Sequence, residues 1–167
     1  MTTQYTEMAS PLGTLLLTAV DGQLTGVHFP GQKHDRPVQP DWQRADDAPA
    51  LAQARMQLAE YFAGRRTRFD LPLAPAGTPF QQAVWRALLA VPFGATSTYG
   101  AIAQAVGKPS AVRAVGSAVG ANPIGIVVPC HRIVGRDGSL TGYAAGVERK
   151  ARLLALERRA SLMELTA

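Results

Sequence analysis

The 167-residue chain has a single cysteine, Cys130, followed directly by His131 and Arg132. One thiol cannot close an intramolecular disulfide or anchor a multi-cysteine metal site. It is therefore either a small buried hydrophobe or a nucleophile. Its surroundings, Val127-Val128-Pro129-Cys130-His131-Arg132-Ile133-Val134, favour the nucleophile. Pro129 fixes its own φ and biases Val128 toward extended backbone, so the apolar run 124–128 reads as a short buried strand that breaks into a turn at the thiol. His131 and Arg132 supply proton-accepting and positive character beside it, which is expected to favour the thiolate. That help matters, because an unassisted thiol titrates near ~8.5 and is only a few per cent ionised at neutral pH. Cys-His-Arg by itself leaves both readings open.

A third residue sharpens the chemistry. A helical pattern over residues 147–159 places Val147, Ala151, Leu153 and Leu154 on one apolar stripe, and Glu157 falls between Leu153 and Leu154 on the same wheel. A carboxylate on a buried face requires a partner. His131 and the nearby arginines are candidates; pairing with Arg158 or Lys150 in solvent is the alternative. If Glu157 meets His131, then Cys130, His131 and Glu157 make a nucleophile, a base and its orienter. The three histidines, His28, His34 and His131, and one cysteine are too few soft ligands for a structural zinc site, so no metal is expected.

The elements that must position these residues fall into two styles. At 47% apolar residues the chain can build a sizeable core, as one domain or two small ones. No stretch approaches the length of a membrane span, and residues 1–10 lack a secretory pattern. With one cysteine this points to a reducing cytoplasm. Residues 1–77 carry 7 Lys/Arg against 8 Asp/Glu, whereas residues 78–167 carry 10 against 4. The basic excess thus lies with Cys130 and suggests a polyanionic partner, nucleic acid first; a merely solvated basic surface is the alternative.

The first third reads as a β meander: strands at 5–8, 14–20 and 23–29, with turns at Ser10-Pro11-Leu12-Gly13 and Asp21-Gly22. Residues 30–49 read as a loop. Leu51, Arg55, Leu58 and Phe62 share a helical stripe closed by Gly64, and residues 67–73 suggest another strand. Thr78-Pro79-Phe80-Gln81 carries a capping box that starts a helix running to about Val91, with Phe80, Val84, Ala87, Leu88 and Val91 inward. Thr98 caps a helix over 99–106, and Ser110 is the expected cap of another over 111–119. Joined by Gly107-Lys108-Pro109-Ser110, the two form a helix-turn-helix pattern.

On the second helix of that pair, Val112, Val115 and Val119 are expected to pack inward. The opposite face carries Arg113, Gly116, Ser117 and Gly120. It is nearly smooth, with one guanidinium and none of the Asn or Gln that read major-groove edges. Such a face suits sequence-tolerant approach to a narrow groove. Close packing against another helix through small residues is the competing explanation.

The second half closely resembles the O6-alkylguanine-DNA alkyltransferases. Pro129-Cys130-His131-Arg132 stands where that family has its Pro-Cys-His-Arg signature, Tyr99-Gly100-Ala101-Ile102-Ala103 and Arg113-Ala114-Val115-Gly116 where it has its helix-turn-helix, Asn122-Pro123 where it has its hinge, and Thr141-Gly142-Tyr143-Ala144-Ala145-Gly146 where it has its substrate loop. The match covers about residues 78–160; the first half matches more weakly, through Ser10-Pro11-Leu12-Gly13 and Tyr61-Phe62-Ala63-Gly64.

The resemblance implies a mixed α/β (α+β) fold: an N-terminal α/β domain with a small antiparallel sheet, residues 1–77, and a C-terminal winged-helix, helix-turn-helix DNA-binding domain, residues 78–167. It implies that Cys130 accepts the alkyl group, that His131, held by Glu157, takes the thiol proton through a water, and that Asn122 ties the DNA-reading helix to the cysteine loop. Tyr99 would meet phosphate and guanine edge. Arg113, with Ala114, Gly116 and Ser117 around it, would fill the duplex when the damaged nucleotide rotates out. Tyr143, the Ala144 backbone and the carbonyls of Cys130 and Ile133 would receive the base. Ala145 departs from the glycine common there and is expected to narrow the pocket slightly. The implied activity is direct, irreversible transfer from O6-alkylguanine, less well from O4-alkylthymine, by a monomer with no cofactor. A cysteine hydrolase and a non-catalytic lesion-binding module are the rival readings; cooperativity on DNA stays open.

Overall fold

The computed structural model describes residues 1–166, with side chains to Met163; Ala167, which ends the expected second domain, lies outside the described residues. Strands β1 (Gln4–Met8), β2 (Leu15–Val20) and β3 (Gln23–His28) form the expected antiparallel meander. Asp21 and Gly22 both take positive φ, 51° and 76°, the turn geometry whose twist matches that of the flanking strands. The loop 30–49 is not wholly irregular. It contains β4 (Gln43–Arg44), which pairs with β1 in parallel and completes the order β3-β2-β1-β4. Helix α1 (Pro49–Phe62) lays Leu51, Ala54, Leu58 and Tyr61 on the sheet, against Leu15, Leu17 and Leu24. Gly64, at φ 76°, closes it by donating to the Tyr61 carbonyl at 3.0 Å.

Residues 67–73 do not form the expected strand. Only an isolated bridge joins Leu73 to Leu24. Pro72 and Pro75 flank that bridge, and their missing N–H groups stop a ladder from extending.

In the second half, α2 (Pro79–Leu89) starts on the predicted capping box: Thr78 Oγ1 accepts from Gln81 N at 3.1 Å and Gln81 Oε1 from Thr78 N at 2.9 Å. It ends two residues short of Val91, ahead of Pro92. Phe80 and Ala87 are only half-buried, whereas Trp85, outside the predicted stripe, is buried and donates its indole N–H to the Ala118 carbonyl at 2.8 Å. That bond pins α2 to α4 (Val112–Gly120), the second member of the helix pair begun by α3 (Tyr99–Ala105). Thr98 caps α3 as expected, its hydroxyl accepting from Ala101 N at 3.1 Å. Ser110 does not cap α4. The N-cap position is Ala111, whose N–H goes to the Lys108 carbonyl, so the serine sits one residue too early.

The two-residue strands β5 (Ser97–Thr98) and β6 (Ile133–Val134) pair in parallel beside the helices. The last helix, α5 (Val147–Thr166), runs past the expected end at 159, since residues 160–166 hold no Gly or Pro to stop it. The two halves share one continuous core, stitched where Val27 of β3 donates to the Pro123 carbonyl at 3.0 Å and accepts from Gly125 N at 2.9 Å. Among the described residues no helix is long and apolar enough to cross a membrane.

Candidate active site

Residues 124–128 are not the expected buried strand. Ile126 sits at φ 69°, a costly conformation for a β-branched residue, and the chain folds into successive tight turns: Val127 N to Gly125 O at 2.7 Å, Cys130 N to Val128 O at 2.8 Å. A 3-10 turn over Cys130–Arg132 follows. What braces this loop is Asn122, just beyond α4. Its Nδ2 donates to the Val128 carbonyl at 2.8 Å and to Cys130 Sγ at 3.1 Å, and its Oδ1 accepts from Ile124 N at 3.0 Å. Asn122 therefore ties the end of α4 to the sulfur, the connection that the resemblance implied.

The electrostatics of the thiol differ from the expectation. Cys130 is only 8% exposed, and burial pushes its pKa up rather than down. The groups that oppose burial most are the Asn122 amide and then the Lys150 ammonium, not the adjacent His131 and Arg132. Burial pushes the Tyr143 phenol well above its ordinary range, so it stays neutral in the cavity that it shares with the sulfur. Lys150 escaped sequence reasoning because a lysine on a helix normally reads as solvated. Here it is fully buried, and Nζ donates to the Thr141 carbonyl at 3.1 Å. The signal was its spacing, three and four residues before the buried Leu153 and Leu154; Val147, expected on the same stripe, is instead exposed at the start of α5.

His131 and Arg132 serve Glu157 instead. Glu157 is buried in α5, as its place in the apolar stripe required, and gathers three partners. Oε2 lies 2.6 Å from His131 Nε2, accepts from Tyr61 Oη at 2.7 Å and from Arg132 Nη2 at 3.1 Å; Oε1 accepts from Arg132 Nε at 2.8 Å. Arg132 Nη1 caps the Val91 carbonyl at 2.7 Å. Burial would raise the Glu157 pKa, but hydrogen bonds and charge from His131 and Arg132 outweigh it and bring it to about 2. Burial lowers the pKa of His131, with Glu157 opposing. A neutral imidazole that donates Nε2–H to the carboxylate exposes a lone pair at Nδ1. Nδ1 has no hydrogen-bond partner among the described residues, so it is the atom available to take a proton. Tyr61 was not anticipated; it lies on the buried stripe of α1, and a buried phenol needs a partner.

A cavity beside the sulfur is walled by Asn122, Cys130, Tyr143 and Ala144, by Gly120 at the end of α4, and by His28, Phe29 and Gln32 from the first half. It has room for about one water. Ile133, buried in β6, and Tyr99 are not among its walls. Tyr99 instead sits half-buried at the start of α3, its hydroxyl 3.1 Å from Thr141 Oγ1.

The outer face of α4 carries exposed Arg113, Ala114 and Ser117, with Gly116 half-buried. Val112 does not pack inward; it is 43% exposed, and Ala118 fills that place beside Val115 and Val119 because the helix turns its 115–118–119 edge to α2. A methyl added at Gly120 would meet nothing, and one at Gly116 only the Tyr99 ring at 3.9 Å. The small residues of this face are therefore not seats for another helix of the described chain. Among those residues no group of three His, Cys, Asp or Glu side chains gathers as a metal site.

Two family models match the chain. Residues 3–75 match the 6-O-methylguanine DNA methyltransferase, ribonuclease-like domain, and residues 79–159 match the 6-O-methylguanine DNA methyltransferase, DNA binding domain. A methylated-DNA–protein-cysteine methyltransferase of Mycolicibacterium paratuberculosis is 48% identical over 163 residues, 98% of this chain and 97% of that protein. One of Haemophilus influenzae is 44% identical over 155 residues, 92% and 86% of the two chains. Among solved structures, the Mycobacterium tuberculosis OGT in complex with DNA superposes with a TM-score of 0.86 at 45% identity, covering 94% of each chain.

Proposed function

The chain belongs to the 6-O-methylguanine DNA methyltransferase family, and from that membership we propose how its own residues carry out the reaction. The protein repairs DNA by moving the alkyl group of O6-alkylguanine onto a cysteine of its own. It has one cysteine, so the acceptor is Cys130. The observation that carries the reading is that this sulfur, held by the Asn122 amide, opens on a cavity that it shares with Tyr143 and with the last residue of the bare α4 face.

The thiol proton leaves toward Nδ1 of His131, through a water, while Glu157 holds the imidazole. The Cys130 sulfur forms a bond to the alkyl carbon as the bond from that carbon to O6 breaks. The guanine leaving group regains a proton, so the total is unchanged. The thioether offers no carbonyl to water, so the protein acts once and stays alkylated. The alkylated guanine reaches the sulfur by rotating out of the duplex, since a stacked base cannot present its O6 substituent inside a protein cavity. That cavity has room for about one water, so entry of a purine also requires the loop 141–146 to move outward. Tyr99 sits at the rim, against the strand and the incoming guanine edge. The carbonyls of Cys130 and Ile133 and the backbone of Ala144 take the base once it is inside. O4-alkylthymine is a poorer substrate. The chain divides into two units, residues 1–77 and 78–167, and works as a monomer in the cytoplasm.

On this reading Arg113, exposed among Ala114, Gly116 and Ser117, enters the duplex in place of the displaced nucleotide. Flipping costs a few kcal/mol of stacking and pairing, and an inserted side chain recovers part of it. A free O6-substituted guanine has no duplex to open. Arg113→Ala is therefore expected to slow single-turnover transfer from duplex DNA far more than from the free base, and to reduce the salt slope of binding by about one unit at most. Equal slowing on both substrates would show that Arg113 supports the fold or the thiol instead.

A further inference from the structure

We propose that the pair His28–Asp35 is a latch by which the first half of the chain sets the size of the alkyl-base pocket, making both positioning residues for the reaction proposed above, on which this inference rests. His28, at the end of β3, is buried and lines the cavity that holds the Cys130 sulfur. Its Nε2 lies 3.0 Å from Asp35 Oδ1, in ion-pair range though off the line of a hydrogen bond. The other oxygen, Asp35 Oδ2, accepts from Gly31 N at 2.8 Å. Asp35 thus closes the segment 29–35 back onto the strand it leaves. Inside that closure Gln32 Oε1 accepts from Phe29 N at 2.9 Å, which turns both Phe29 and Gln32 into cavity walls.

The closed segment grips the loop on the other side of the cavity. Lys33 N donates to the Ala144 carbonyl at 3.0 Å. One residue on, the Ala145 carbonyl accepts from Arg149 Nη1 at 3.2 Å, and the Arg149 guanidinium stacks over the Phe29 ring at 4.1 Å from its centre. Successive carbonyls of the segment that covers the cavity are therefore held by Lys33 of the closed segment and by Arg149 of α5, which rests on Phe29 and also donates to the Leu12 carbonyl. A wall fastened this way opposes displacement in proportion to the size of the incoming group. Released, it gives a bulky substituent more room and gives a methyl group less support.

The test compares wild type with Asp35→Ala in single-turnover reactions with the free bases O6-methylguanine and O6-benzylguanine, followed by intact mass. Misplacing a pocket wall by an ångström can cost two orders of magnitude, so the methyl rate is expected to fall by about tenfold while the benzyl rate holds or rises. A residue that only supported the fold would slow both substrates alike. Lys33→Pro removes the amide that holds Ala144 without touching the His28 pair, and is expected to shift the benzyl-to-methyl ratio in the same direction. An unchanged ratio in both variants, with wild type alkylated normally, overturns the latch alone. No alkylation of wild type by duplex DNA containing O6-methylguanine, run beside these reactions, would instead overturn the functional reading beneath it.

Discussion

Cys130→Ser is expected to bind duplex DNA containing O6-methylguanine about as tightly as wild type and to transfer no measurable alkyl group. Binding survives because phosphate contacts carry most of the affinity of a DNA-binding protein, and in the reading proposed above these fall on the α4 face rather than at the sulfur. Transfer fails because a serine hydroxyl is far less acidic than even a thiol whose pKa burial has raised. The rate should drop by more than about a thousandfold, the scale of losing an activated nucleophile. The substitution is nearly isosteric and keeps an acceptor for the Asn122 amide, so the loop should hold its shape. Binding measured by fluorescence anisotropy beside transfer measured by mass separates the two properties. Transfer by the serine variant would remove Cys130 from the chemistry.

Glu157 carries the second large effect, on stability and rate together. It is buried with His131, Arg132 and Tyr61 around it, and removing one member of such a set leaves the others as uncompensated buried polar groups. Glu157→Gln is expected to cost about 3 kcal/mol, because the amide cannot accept from all three partners and brings N–H groups toward an arginine. For a chain of this length that lowers Tm by roughly 10 °C. Transfer measured well below that Tm should slow by about a hundredfold, the usual contribution of a positioned general base.

The pH dependence has a definite sign. The folded carboxyl titrates at about 2, below its ordinary 4.5. The unfolded chain therefore binds the proton first, and stability present above the ordinary value is lost as pH falls from about 5 toward 2. Wild-type Tm should slope steeply across that window and the Gln variant should slope less. Parallel Tm profiles for the two, or a Gln variant with wild-type rate, would remove Glu157 from its role.

How far these residues could be read before the fold was known depended on how local their signals were. The α2 capping box, the Asp21-Gly22 turn and the Gly64 helix end are set by four or five consecutive residues, and all formed as read. Glu157 was legible because a carboxylate on an apolar stripe has few ways to exist. Its third partner, Tyr61, stands 96 residues away in sequence, and no local pattern joins the two. The strand expected at 124–128 failed for a similar reason. An apolar run signals burial but not extension, and here burial comes with a left-handed Ile126 that redirects the chain so that Asn122 can reach the sulfur. The thiolate argument failed on distance. Neighbours in sequence are not neighbours in charge here: the cation placed to act on Cys130 is Lys150, twenty residues on and brought in by α5.

The most direct test is intact-mass analysis of the wild-type protein after mixing with excess duplex DNA containing one O6-methylguanine, followed by peptide mapping. The expected result is the net gain of one methyl group per protein molecule, located on Cys130, with guanine restored in the DNA and no further repair when more duplex is added. An unmodified protein, a methyl group on any other residue, or continued turnover beyond one equivalent would contradict it.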